Sequence, residues 1–354
     1  MLRNRGFTKS AQTSFLISRR SLSSYKSDEY QFLHKSAIPT YHFQKSLRRL
    51  PIPKLEDSAR RYLNAAKAVV SDAEFKETES AVKQLLGKSG QELQKELLAY
   101  DAQNKHTSYI SEPWFDMYLK SRLPCPVNYN PFMMFAPEKD ASYNDQLSRA
   151  TNFAISCARF KKSLDAEILA PEVFHLNPKK SDTDFFRTVC RLLPSNLSWF
   201  GAIAFKAFPL DMSQYPSLFG GNRIPARNKD ILHNCKNPKH FMVMSKGNIY
   251  AVDLFDEQGN ILPPENVHAS LAKILKSSTA PETDSCVGSL TTLERDTWAD
   301  IRNELISNSK NHASFRSIDD ALFVLCLDDL KTEDHARLVQ SLLCGDDGHN
   351  RCYY

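Results

Sequence analysis

None of the eight cysteines (Cys125, Cys157, Cys190, Cys235, Cys286, Cys326, Cys344 and Cys352) stands three positions from another. Without a C-x-x-C pair there is no dithiol redox signature and no zinc-finger spacing. In a chain of this length scattered thiols read as reduced residues, not a disulfide framework, which fits a reducing compartment. Glycine is scarce, at 11 residues, and no G-x-G-x-x-G follows a strand. Walker A, G-x-S-x-G and H-E-x-x-H are absent too, which removes the commonest nucleotide, hydrolase and metalloprotease readings. A basic body is also missing. Residues 1–26 hold six of the 46 basic residues and no acid, which leaves 40 basic against 41 acidic residues beyond them. A body so balanced has no general electrostatic attraction for nucleic acid.

The charge that does exist is concentrated where it carries meaning. "MLRNRGFTKSAQTSFLISRRSLSS" is Arg-rich, Ser-rich and acid-free, and it lacks the long apolar core of a secretory signal. Residues 1–25 therefore read as a mitochondrial transit peptide cleaved near Ser21–Ser24, against the plainer reading of a basic tail. Pro39, Pro51 and Pro53 then hold the chain out of helix. Residues 55–103 are expected to be helical. Ser71 with Glu74, and Ser89 with Glu92, have capping-box spacing, and Gly87 ends the first of these helices. A long amphipathic helix is expected in 143–169, after a loop at "CPVNYNPFMMF". A β-hairpin is expected in "HFMVMSKGNIYAVDLFDEQGNIL", turning at Lys246-Gly247-Asn248. "LTTLERDTWADIRNELIS" predicts a helix with Thr292 and Arg295 at its start. "SIDDALFVLCLDD" predicts a fully buried strand. The class is α/β, with a helical lead-in over residues 30–104 and an α/β domain over 105–354.

Residues 181–211 stand apart. Phe185, Phe186, Val189, Cys190 and Leu193 recur at helical spacing, with Arg187 and Arg191 off that face. Leu192 to Phe205 carry no charge, but these 14 residues are too few to span a bilayer, and Pro194 interrupts them. Trp199, Phe200 and Phe205 suit the headgroup level, with Lys206 beside them. Two readings stay open on these residues alone: an interfacial anchor, or a helical pair buried in the core.

Chemistry is harder to find. The ten histidines are His34, His42, His106, His175, His233, His240, His268, His312, His335 and His349. An H-x-x-x-D arrangement, used by CoA-dependent acyltransferases, pairs a general base with an Asp that fixes local geometry; no histidine here has Asp four residues on. Cys344, His349 and Cys352 give at most three zinc ligands without a tight Cys pair, so no metal site is expected.

Several stretches resemble the carnitine/choline acyltransferases. "SLRRLPIPKLEDSARRYL" is similar to the N-terminal signature of that family, and "NKHTSYISEPWFDMYLKSRLP" to its next shared block. "EVFHLNPKKSDT", "LSWFGAIAFKAFPLDMSQYPSLFGGNRIP" and "LDDLKTEDHARLVQSLLCGDDGHNR" resemble its mitochondrial long-chain members in particular. The resemblance runs from about Phe32 to Arg351. It implies a CoA-dependent acyltransferase fold of two related α/β domains. The implied reaction moves long-chain acyl groups reversibly between CoA and carnitine. A His base takes the carnitine hydroxyl proton, the alkoxide attacks the thioester, and a donor stabilises the oxyanion. No cofactor takes part, the substrates being acyl-CoA and carnitine.

The resemblance also sets expectations for single residues. Trp114 and Tyr118 match positions lining the family's carnitine pocket, where a ring face suits a trimethylammonium group. "RATN", Arg149 to Asn152, is implied to be structural. The segment 181–211, with Phe185, Phe186, Trp199, Phe200 and Phe205, is implied to touch the matrix face of the inner mitochondrial membrane. The block like "GDDGHNR" continues in relatives toward the catalytic His, whereas here Cys-Tyr-Tyr follows. His349 lacks the following Asp. The expectation is therefore a C-terminally truncated chain without acyl-transfer activity of its own. The alternatives are a membrane-bound or regulatory interaction fragment, or an acyltransferase for another chain length or acceptor.

Overall fold

The structure is a computed structural model, and it describes residues 30–103, 107–125, 135–280, 287–328 and 334–344. The transit-peptide reading, His106, most of "CPVNYNPFMMF" and the terminal "GDDGHNRCYY" lie outside those residues. The architecture is mixed α/β, as expected. The chain divides into two compact units, Lys45–Tyr118 and the described remainder.

Unit Lys45–Tyr118 is helical. Helix α1, Leu55–Ala66, begins directly after Pro53 and Lys54. Helix α2, Asp72–Leu85, opens with the expected capping box: Ser71 accepts from the Glu74 amide, and Glu74 accepts from the Ser71 amide at 2.9 Å. Helix α3, Lys88–Gln103, corrects the second expected cap. It already starts at Lys88, so Ser89 lies inside its first turn and is not an N-cap. The first turn of α3 is closely packed: a Cβ at Gly90 would stand 2.0 Å from the Leu85 carbonyl oxygen at the end of α2 and 2.9 Å from Leu55 Cδ2 of α1. Helix α4, Ser111–Lys120, carries this unit's last residues.

The other unit is built on α5, Gln146–Asp165, capped by Asp145, and on a three-stranded sheet. Strand β5, His240–Ser245, forms the expected hairpin with β6, Asn248–Asp253. Lys246 and Gly247 both have positive φ, 48° and 77°, the two-residue geometry that matches strand twist. Strand β7, Val324–Cys326, joins the other side of β5 in parallel. Phe241, Met242 and Val243 of the central strand are buried on both faces. Strand β7 was expected to be fully buried and is not: it lies at the sheet edge, with Val324 exposed.

The crossover from β6 to β7 contains α8, Pro264–Ser277, α9, Arg295–Ile306, and α10, Ser309–Asp319. Ala150, Ala154 and Ala158 give α5 a small-residue stripe that lets α8 approach with Val267, Leu271 and Ile274. The N-cap of α9 is Glu294, which accepts from the amides of Asp296 and Thr297; Thr292 instead bonds the Ser289 carbonyl. A last helix, α11, spans His335–Cys344. Arg149 donates to Asn144 and to the Ala136 carbonyl, and Thr151 to the Leu147 carbonyl, which are structural roles.

Candidate functional site

Two places in the described chain carry exposed apolar side chains in concentration. The first is α4. None of its residues is buried, and Trp114, Phe115, Met117 and Tyr118 are all exposed. Single exposed apolar residues are ordinary, but four within five positions mark a surface that meets something. Trp114 and Tyr118, one helical turn apart, hold their ring centroids 5.4 Å apart at an interplanar angle of 51°. At that spacing the two rings touch each other, and each also keeps exposed surface.

The second place is the segment 181–211. Its first helix, α6, is Asp184–Leu192, with Thr183 accepting from the Phe186 amide as N-cap. Its second, α7, is Ser198–Ala204. The short strands Val173–His175 (β1) and Ala207–Pro209 (β2) pair antiparallel beside them. A second antiparallel pair, Gly221–Ile224 (β3) with Ile231–Asn234 (β4), follows.

The apolar stripe of α6 divides. Phe186 and Cys190 are buried at 2% and 0%, whereas Phe185 is 69% exposed. Leu192 is 78% exposed and Phe200 64%. Phe205 stacks edge-on against both Phe185 and Phe186, at 5.7 and 5.5 Å, and Trp199 lies edge-on to Phe200 at 5.3 Å. Burial pushes the Cys190 thiol up to about 11, which keeps it an inert packing group. One side of the hairpin is therefore core, and the other presents large apolar groups outward.

The sequence reading missed the outer face of the β1–β2 pair. Phe174 sits opposite Phe208 in register and both are exposed, as are Leu176 and Leu210. The period-two run Val173-Phe174-His175-Leu176 was the available signal. Among the described residues no group of His, Cys, Asp or Glu is arranged to hold a metal ion, and no helix is long and apolar enough to cross a membrane.

Comparison with known proteins follows the same lines. The family model for choline/carnitine O-acyltransferases matches residues 50–354. The chain is 49% identical over 323 residues to human mitochondrial carnitine O-palmitoyltransferase 2, covering 91% of this chain and 49% of that protein. It is 47% identical over 327 residues to the Xenopus tropicalis protein of the same name, covering 92% and 49%. Bovine peroxisomal carnitine O-octanoyltransferase is 27% identical over 337 residues, covering 90% of this chain and 49% of that protein. The chain therefore spans about half the length of the curated relatives it matches. A match over six-sevenths of its residues, together with these identities, makes the chain a member of the choline/carnitine O-acyltransferase family.

Proposed function

We propose that this chain supplies part of a long-chain carnitine acyltransferase that works on the matrix face of the inner mitochondrial membrane. Residues 1–25 act as the import signal and residues 26–354 belong to the acyltransferase domain. Trp114 and Tyr118 face the trimethylammonium group of carnitine. The outward side of α6–α7, led by Phe185, Leu192 and Phe200, rests on the lipid surface from which long-chain substrates arrive. No cofactor is involved. The observation that carries the reading is the contrast in identity: 49% to a palmitoyltransferase against 27% to an octanoyltransferase. The exposed rings of 181–211 support it, because a long-chain substrate is itself membrane-soluble.

The 354 residues contain no His with Asp four positions on, so they offer no general base in the H-x-x-x-D pattern. Purified as given, the chain makes no palmitoylcarnitine from palmitoyl-CoA and carnitine above the blank. Turnover by the chain alone would sink that part of the reading. Flotation with phosphatidylcholine–phosphatidylglycerol vesicles tests the rest. Full burial of a Phe side chain is worth about 1.5–3 kcal/mol, so Phe185→Glu with Phe200→Glu lowers vesicle binding by about tenfold or more. Undiminished flotation of the double variant would remove the interfacial role.

A further inference from the structure

The hairpin α6–α7 has many contacts of its own, but one residue outside it reaches three of its parts, two through its ring and one through its backbone oxygen. His42 Nε2 lies 2.8 Å from the carbonyl oxygen of Cys190. That oxygen belongs to the last turn of α6, where four carbonyls have no partner within the helix. A carbonyl only accepts, so the proton is on Nε2. The Nδ1 atom then accepts, and Ser195 Oγ, in the turn between the helices, lies 3.4 Å from it. The backbone oxygen of His42 is 3.2 Å from Ser198 Oγ, at the first residue of α7. Ser198 is fully buried. One residue thus bonds the end of α6, the connecting turn and the start of α7. Its partners lie 148 to 156 positions further along the chain.

The surroundings fix the ring in place. The His42 imidazole meets the Phe43 ring edge-on at 5.5 Å, and Phe43 is buried. Two residues on, Gln44 accepts from the Met212 amide and donates to Asp211, so the chain around His42 also holds the far end of the segment. Two residues before, Thr40 is buried and donates to the Leu169 carbonyl. The imidazole therefore sits on an anchored stretch of backbone, with its bonds to the hairpin as the directed contacts.

We propose that His42 is a positioning residue that latches the α6–α7 hairpin to the α/β unit, and so sets the pose in which Phe185, Leu192 and Phe200 meet lipid. The second half rests on the interfacial reading above; the latch itself does not. Three variants separate donor, volume and fold. His42→Phe keeps an aromatic ring against Phe43 and loses both ring hydrogen bonds. His42→Gln restores an N–H near the position of Nε2. His42→Ala removes the ring and leaves only the backbone oxygen that faces Ser198.

Amide hydrogen exchange of the purified chain, read at 184–204 and at Phe241–Val243, decides the first half. His42→Phe and His42→Ala speed exchange in 184–204 by roughly tenfold, the effect of leaving a buried acceptor without its donor. Exchange at Phe241–Val243 stays at the wild-type rate, and His42→Gln returns 184–204 to within about threefold of wild type. Unchanged exchange in 184–204 for His42→Phe would overturn the latch. So would an equal acceleration at Phe241–Val243, which marks general destabilisation.

Flotation of the same variants with phosphatidylcholine–phosphatidylglycerol vesicles decides the second half. Weaker binding that tracks the exchange rates links the latch to the lipid face. Faster exchange with unaltered binding leaves the latch standing and cuts that link. If the wild type itself fails to float, the interfacial reading falls while the exchange result still judges His42.

Discussion

At the residue scale the strongest constraint is a single carboxylate. The Asp230 side chain is completely buried, and three guanidinium groups converge on it: Arg223 at 2.6 Å, Arg295 at 2.8 Å and Arg122 at 3.3 Å. The Ala226 amide also donates to it, and the Asp230 amide donates to the Leu119 carbonyl. Arg122 shares its charge with Asp296 at 3.1 Å, which eases the crowding of like charges. Arg295 is itself buried, so removing Asp230 strands a charge without water. Asp230→Ala is expected to cost about 3–5 kcal/mol, read as a lowered urea midpoint. Arg227 and Asp300 form a bidentate pair at 2.7 Å on the surface, where solvent screens the charges, so Arg227→Ala should leave the urea midpoint close to wild type. Equal effects from the two substitutions would show that burial does not set the value of these pairs. A quieter device is Gln31, whose side-chain amide accepts from the Ile261 amide at 2.8 Å and donates to the Ile261 carbonyl at 3.3 Å. It copies a strand pair with one side chain and straps the N-terminal segment to the loop after β6.

At the element scale, three helix starts depend on exposed carboxylates. The Ser71 hydroxyl and amide hold Glu74 below the ordinary carboxylate range, the Ser148 amide does so for Asp145, and the Thr297 and Asp296 amides for Glu294. A group lowered in the folded state stabilises it above its unfolded pKa and loses that contribution as pH falls through the lowered value. The starts of α2, α5 and α9 should therefore fray as pH drops below about 4, with helical circular dichroism falling before the core opens. Glu294→Gln keeps an acceptor without the titrating charge, so it flattens the α9 part of that loss; an unaltered profile would clear Glu294. The closeness of α6 and α7 is another element-level constraint. A Cβ at Gly201 would stand 2.2 Å from Leu193 Cδ1, so Gly201→Val should cost about 1–3 kcal/mol, localised to 184–204. Such features divide into those local in sequence and those not. Lys246-Gly247 and Ser71-x-x-Glu74 were legible because the residues that form them are neighbours. The Ser89 cap failed because α3 starts one residue earlier, at Lys88, a boundary that the local Ser-x-x-Glu spacing does not reveal. For α6, periodicity gave the helix and its apolar side, but Phe185 and Phe186 are adjacent in sequence, and tertiary partners such as His175, 5.1 Å from Phe186, decide which is covered. His42 was invisible for the same reason, its partners being over a hundred positions away. Trp114 and Tyr118 became candidates through family likeness, since a turn-spaced aromatic pair is equally good core.

At the scale of the whole molecule, the two units differ sharply in how much they bury. In the unit built on α5 and β5, a continuous apolar cluster runs from Ala154 and Ala158 through Phe241, Val243 and Leu254 to Leu271 and Leu322, nearly all closed to solvent. Among the described residues of Lys45–Tyr118 the buried apolar side chains are Ala66 and Val82, while Tyr62, Val69, Leu93 and Leu98 are exposed. Helices of 10 to 16 residues gain most of their stability from a packed face, and small cores fall short of the conformational entropy they must offset. Ion pairs such as Arg60 with Asp57, both exposed, add little. Local opening should accordingly begin in 45–118. Under limited proteolysis the first cuts are expected between α1 and α3, near Val69 and Gly87, while Phe241–Val252 stays intact. Exchange protection in α1 to α3 should sit at least tenfold below that of β5. Equal protection in both units would mean that apolar burial does not rank their stabilities. If the order holds, the aromatic pair Trp114 and Tyr118 is carried on the less stable unit, while Asp230 and the α6–α7 hairpin belong to the more stable one.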